Sequence, residues 1–262
     1  MKKESILSSV QNGLSIIKIF TKEKPIWGIT EISRTLNLPK STVSRLITDL
    51  VNEGYLKKVG NKYSLGLSIL TLSGVIMSRL EIHREAHEPL KALVRKVNEN
   101  AHISTLEGIQ LIYLLKVECN QAVRLLSHVG HYRPVTCSSP GKLLLAYQTS
   151  DVINEVIKAG LTKRGPDSIT DPAELVNRLK KIKQQGYDVS INEMNEDVVS
   201  IAAPIKDYLG NVIASVSIAG PRHRIVDELV TQYVPELVKT GENISHQLGY
   251  METPLFGGGG YE

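Results

Sequence analysis

Between Ile29 and Leu65 the apolar repeat switches from helical to strand-like, and that switch constrains the fold more than any other feature of the chain. Ile29, Ile32 and Leu36 share one helical face after a start at Thr30, a good N-cap type. Asn37-Leu38-Pro39 reads as a tight turn. Lys40 to Glu53 then sets Val43, Leu46, Ile47 and Leu50 at i, i+3, i+4 and i+7 before Gly54 ends the pattern. The next run, Tyr55 to Leu65, holds two short β-prone segments around Gly60-Asn61, the pattern of a hairpin. Ahead of these, Ser9 to Phe20 predicts a first helix with Val10, Leu14, Ile17 and Phe20 as its apolar face. Three helices followed by a hairpin make a winged helix-turn-helix over residues 1–66.

Gly66 to Met77 returns to an apolar helical pattern, which places a linker helix at residues 67–82. Arg84 to Asn98 predicts another helix, with Ala86, Leu90, Leu93 and Val97 inward. Strands follow at His102 to Leu106, Gln110 to Val117 and Ala122 to His128. Leu143 to Tyr147, Asp151 to Ala159 and Pro172 to Gln184 read as helices, while Tyr187 to Ile191, Val198 to Ile205 and Val212 to Ala219 read as strands. Asp227 to Leu248 predicts a long closing helix. An antiparallel sheet flanked by helices is an α+β, sensor-like architecture, assigned to residues 83–250. Residues 251–262 contain the Gly-rich run Phe256 to Gly260, expected to be a flexible tail.

A hydrophobic content of 42% with 22% charged residues excludes disordered, collagenous and disulfide-scaffold classes. The longest apolar window, Leu67 to Met77, is cut by Ser68, Thr71, Ser73 and Gly74, so no membrane contact is expected. No secretory leader is read at the N-terminus, and two cysteines without CxxC spacing fit a reducing cytoplasm. Charge is uneven. Residues 1–66 hold 11 Lys/Arg against 5 Asp/Glu, a net +6, whereas the remainder holds 20 against 22. Chance asymmetry is the plain explanation; a first half that meets a polyanion is the functional one.

In a helix-turn-helix the second helix of the motif enters the major groove. Lys40, Ser41, Thr42, Ser44 and Arg45 occupy its first turns here. Hydroxyls and a base at an exposed helix start suit phosphate, and Arg45 suits either a guanine edge or a phosphate. Taken alone they are equally a capped surface helix. Lys57, Lys58 and Lys62 on the following hairpin favour one continuous cationic footprint on duplex DNA.

In the second half, Ser138, Ser139, Pro140 and Gly141 form a candidate helix start, with Ser139 as N-cap and Pro140 at N1; either its free N–H groups receive a carboxylate or it is a capped helix start with no ligand. It is not a phosphate-binding P-loop: Thr136 stands where the first Gly belongs, and Leu143 follows Lys142 in place of a hydroxyl residue. Cys119, His128, His131 and Cys137 match no common structural-zinc spacing, so no metal is expected. Glu193, Glu196 and Asp197 have no partner His or nucleophile nearby in sequence and read as a solvated acidic loop.

Six ordered stretches together carry a resemblance. The first three are Val10-Gln11-Asn12-Gly13-Leu14-Ser15-Ile16-Ile17, Leu38-Pro39-Lys40-Ser41-Thr42-Val43-Ser44-Arg45-Leu46-Ile47, and Gly54-Tyr55 followed by Tyr63-Ser64-Leu65-Gly66. Downstream stand Ser139-Pro140-Gly141-Lys142-Leu143-Leu144-Leu145-Ala146, Gly186-Tyr187 leading to Glu193, and Ile201-Ala202-Ala203-Pro204-Ile205 followed by Ser217-Ile218-Ala219-Gly220-Pro221. Over nearly its whole length the chain resembles the isocitrate lyase regulator (IclR) family of bacterial transcription factors.

The resemblance implies a winged helix joined by a linker helix to a GAF-like effector domain, working as a homodimer or homotetramer. It implies DNA contacts at Lys40, Thr42 and Arg45, and an effector pocket lined by Ser139, Pro140, Ser190, Val198, Ser200 and Ser217. Where relatives with small carboxylate effectors often show an acid, a thiol and a second hydroxyl, this chain has Ser190, Ser200 and Ala219. Glu193 coincides with a recurrent family acid and would orient the pocket. The expected partners are thus an operator in double-stranded DNA and a small carboxylate or hydroxylated acid, with no cofactor and no catalysis. The alternatives are a small-molecule enzyme tethered to nucleic acid and a ligand-free architectural DNA protein.

Overall fold

The computed structural model describes residues 8–21, 23–121 and 128–251. The chain divides into two compact units, with the boundary between Leu80 and Glu81. The expected strand at Ala122 to His128 falls mostly outside the described residues, and so does the Gly-rich tail.

The first unit contains α1 (Ser8–Lys18), α2 (Ile29–Leu36), α3 (Lys40–Asn52), β1 (Leu56–Val59), β2 (Lys62–Leu65) and α4 (Ser68–Arg79). Its core is Ile16, Phe20, Trp27, Ile32, Val43, Ile47 and Leu56, so the inward faces of α2 and α3 are those the periodicity indicates. The cap of α2 differs. Gly28 is the N-cap, and its N–H donates to Glu31 Oε2 at 2.8 Å, so Thr30 lies inside the helix. The face of α1 also differs: Ile16 is fully buried, whereas Val10 and Leu14 are 58% and 52% exposed. Apolar residues surround this helix, so two stripes fit a helical period and only the neighbouring helices select one. Trp27 pairs with Tyr63 through hydrogen bonds of 2.9 and 2.8 Å, adding a minimal third strand to the hairpin.

The second unit contains α5 (Glu81–Glu85), α6 (His87–Val97), β3 (Asn100–Glu107), β4 (Gln110–Val117), β5 (Tyr132–Pro134), a 3-10 turn (Val135–Cys137) and α7 (Ser139–Ala146). There follow α8 (Ser150–Ala159), α9 (Pro172–Gln185), β6 (Asp188–Ile191), β7 (Val198–Lys206), β8 (Val212–Pro221) and α10 (Asp227–Gln247). The six strands form one antiparallel sheet in the order β5-β4-β3-β8-β7-β6.

Alternation along the strands assigns the two faces. Ala202 of β7 joins the core built by Leu143 and Leu145 of α7 with Leu175 and Leu179 of α9. On the opposite face, Gly241 of α10 lies against the Pro204 carbonyl and Val216, the cross-strand partner of Ala203. The result is the α+β architecture expected: a helix-turn-helix unit followed by a sheet unit with helices on both faces.

Candidate functional site: an exposed cationic helix and a polar cavity

The N-terminus of α3 is open. Its N-cap, Pro39, has no side-chain oxygen to offer, so the first N–H groups of the helix carry no side-chain cap. Lys40, Ser41, Ser44 and Arg45 are exposed there, and Thr42 is half-buried. Neither Lys40 nor Arg45 joins an ion pair among the described residues.

The hairpin register divides the wing lysines. Lys58 pairs with Tyr63 and shares the face of Leu56, whereas Lys57 and Lys62 stand on the other face with Val59 and Ser64. Lys62 is also engaged: it and Lys24 lie 3.4 and 3.2 Å from Glu31. The Gly28 N–H bond, and then Lys24, hold the Glu31 carboxyl at about 2, so this acid stays charged inside the basic surface. The single footprint expected from three hairpin lysines is therefore two faces, one with a resident counter-charge.

In the second unit, strand register builds a polar floor. One cross-strand row runs Ser190, Ser200, Ala219, and the next runs Asp188, Ala202, Ser217, His102. Period two puts both rows on the α7 side of the sheet. There a cavity of about 930 Å³, its open mouth included, is lined by Ser138, Pro140, Ser190, Val198, Ser200, Ser217 and Ala219 among others. Ser139 stands behind this lining: its N–H donates to Ser190 Oγ (3.2 Å) and Ser200 Oγ (3.4 Å), and its hydroxyl bonds Ser200 Oγ at 2.7 Å. Ser190 and Ser200 also bond each other at 2.9 Å. Gly141 does not line the cavity. A Cβ there would fall 2.1 Å from the Val135 carbonyl oxygen, so glycine serves the approach of α7 to the preceding turn.

Three expectations are corrected here. The N-cap of α7 is Ser138, one residue earlier than expected, with Ser139 first in the helix. The N–H of Ser139 is occupied by the two hydroxyls and Pro140 has none, so the helix start offers few free donors. The Ser138 hydroxyl is buried with no hydrogen-bond partner among the described residues, and it lines the cavity. Finally, Glu193 is not solvated. It is 7% exposed and bonds the fully buried Lys142 ammonium, which also lies 3.4 Å from Asp188; Glu196 and Asp197 are exposed. Burial raises the carboxyls of both Asp188 and Glu193.

The cavity also contains residues that sequence reasoning missed: His102, Tyr113, Arg133, Arg164, Met194 and Asn195. His102 was within reach, because a strand pairing opposite Ser217 implies it. Arg133 lies on the short strand β5 and Arg164 in the α8–α9 loop, and neither has a local signal. Burial, then the charge of Lys116, lowers the His102 imidazole to about 3, so it is neutral at physiological pH. Its ring lies 5.1 Å from that of Tyr113, whose hydroxyl burial pushes up. Among the described residues no group of three or more His, Cys, Asp or Glu could hold a metal ion. No described helix is long and apolar enough to cross a membrane.

An exposed helix-turn-helix followed by a sheet unit with a hydroxyl-rich cavity defines the class: a DNA-binding transcriptional regulator with a C-terminal effector domain. Comparison with known proteins gives the family. The IclR helix-turn-helix domain matches residues 9–60, and the C-terminal domain of bacterial IclR transcriptional regulators matches residues 75–246. The chain belongs to the IclR family. It is 30% identical to the HTH-type transcriptional regulator KdgR of Escherichia coli K12, over 97% of both chains. It is also 30% identical to the regulator KipR of Bacillus subtilis, over 92% of this chain and 97% of the relative. Among solved structures, an IclR homolog from Microbacterium hydrocarbonoxydans complexed with 4-hydroxybenzoate superposes with a TM-score of 0.82 at 25% identity, over 92% of this chain and 98% of that one. The Thermotoga maritima IclR gives 0.77 at 26% identity, over 94% and 100%.

Proposed function

We propose that this regulator reads a specific operator through α3 and the hairpin, and that a small organic acid held in the second unit controls that binding. The observation that carries the ligand class is Arg164, a guanidinium that lines the cavity and joins no ion pair among the described residues, in a lining whose described residues include no carboxylate. A ligand that brings a negative charge balances Arg164, and the buried Ser138 hydroxyl and the Ser217 side chain supply hydrogen bonds to its polar body. The likeness to a regulator complexed with 4-hydroxybenzoate supports an acid as well.

On DNA, the uncapped start of α3 suits a phosphate, Arg45 one turn later suits a base edge, and Lys40, Thr42, Lys57 and Lys58 add backbone contacts. An oligomer in the cytoplasm presents two such helices. Leu67, Leu70, Val75 and Ile76 on and before α4 are all more than half exposed, as are Val10 and Leu14 of α1, and such exposed apolar side chains suit contact with a second copy. Residues 67–82 would then be both linker and dimer contact.

Gel shift on the DNA upstream of the protein's own gene, with and without a panel of small acids that includes 4-hydroxybenzoate, tests both halves. We expect operator-specific binding and at least one acid that changes it. Arg164→Gln should keep operator affinity and lose about tenfold or more in acid response. Equal affinity for operator and random DNA would refute the operator half. An Arg164→Gln protein with a wild-type acid response would remove the guanidinium from the ligand site.

A further inference from the structure

Among the described residues Lys142 is the bulkiest fully buried side chain, and it does not line the cavity. It bonds Glu193 and approaches Asp188, whose other carboxylate oxygen accepts from Arg178 Nε at 2.9 Å. Buried Lys142, Asp188 and Glu193, with half-buried Arg178 at the edge, thus pair two cations with two anions. Glu193 sits in the β6–β7 loop, immediately before the cavity residues Met194 and Asn195. Its carbonyl accepts from Gly165 N–H (2.9 Å) and Ser168 Oγ (2.6 Å), while Asn192 O accepts from Asp167 N–H (3.3 Å). Ser168 Oγ in turn accepts the N–H of Arg164 and of Gly165, each at 2.9 Å. The two loops touch so closely at Gly165 that a Cβ there would lie 2.0 Å from Asn192 O.

We infer that Lys142 and Glu193 are positioning residues: their buried ion pair holds loops 164–168 and 192–197 together as one body against α7, and so sets where Arg164 and Asn195 stand in the cavity. A carboxylate buried beside an ammonium fixes its own backbone because no rotamer that breaks the pair finds water. That backbone carries the Ser168 junction, and the junction carries Arg164. The consequence for ligand rests on the acid-effector function proposed above; the joining of the loops does not.

Amide hydrogen exchange on the full-length protein without ligand reads it directly. In wild type the amides of Arg164, Gly165, Asp167 and Asp197 should be protected together. Lys142→Met leaves a buried carboxylate unbalanced and endangers folding, so the decisive variant is the double change Lys142→Met with Glu193→Gln, which restores neutrality. We expect the double variant to keep wild-type protection at Val216 and Ile218 in β8 while both loops exchange about tenfold faster or more. Wild-type protection of the loops in the double variant would overturn the inference, because charge balance alone would then be the role of the pair. Release of 192–197 with 164–168 unchanged would also overturn it, since the loops would not be one body. So would loss of protection throughout the sheet, which marks a general core role. A ligand panel in which no acid acts would refute the proposed function and leave these exchange outcomes standing.

Discussion

His102 makes the stability of the second unit depend on pH in a calculable way. Its imidazole is held at about 3 in the folded protein against 6.5 in an unfolded chain, so the group favours folding above pH 6.5, where both states are neutral. As pH falls below 6.5 the unfolded chain takes up a proton that the folded chain refuses until about pH 3, and stability is lost at about 1.4 kcal/mol per pH unit. Between pH 6.5 and pH 5 the loss is therefore about 2 kcal/mol, a sizeable fraction of a typical domain's stability. Other groups titrate in the same window, so the comparison is with His102→Gln, which keeps a polar side chain on β3 and removes the proton uptake. Urea unfolding at pH 7 and pH 5, followed by far-UV circular dichroism, reports both units, and fluorescence of Trp27, the single tryptophan, reports the first unit alone, so the transition seen by circular dichroism but not by Trp27 belongs to the second. The wild type should lose about 2 kcal/mol more than the variant between the two pH values. Equal losses, or an imidazole NMR titration of His102 with a midpoint near 6.5, would refute the reasoning, because burial beside Lys116 would then not be excluding the proton.

Arg45→Ala should weaken operator binding by about 1–3 kcal/mol and relax specificity, whereas Lys57→Ala should weaken all duplexes alike and flatten the salt dependence; gel shifts at several salt concentrations separate the two. Gly141→Ala places its methyl 2.1 Å from the Val135 carbonyl, so the second unit should lose about 1–3 kcal/mol, visible as a lower melting temperature with Trp27 fluorescence unchanged. Leu70→Glu, on the exposed side of α4, should lower the oligomeric state in analytical ultracentrifugation without changing the helix content of the chain.

The sequence alone determined the order of elements in the first unit and the inward faces of α2 and α3, because apolar period, turn residues and helix stops are local properties. The serine floor of the cavity was indicated only through the resemblance to the IclR family, and strand parity is the reason Ser190, Ser200 and Ser217 then share one face. Tertiary structure decided what depends on neighbours distant in the chain. Which stripe of α1 turns inward is one case, because an apolar period exists on two sides of that helix and only α2 and α3 choose between them. Glu193 is another: an acid in a charged loop reads as solvated until Lys142, 51 positions away, is found buried beside it. The convergence of Arg133 and Arg164 on the hydroxyl floor is the third, and the proposed ligand chemistry depends on it most. Periodicity describes one element at a time, whereas the charge of a cavity is a sum over loops that only the packed sheet brings together.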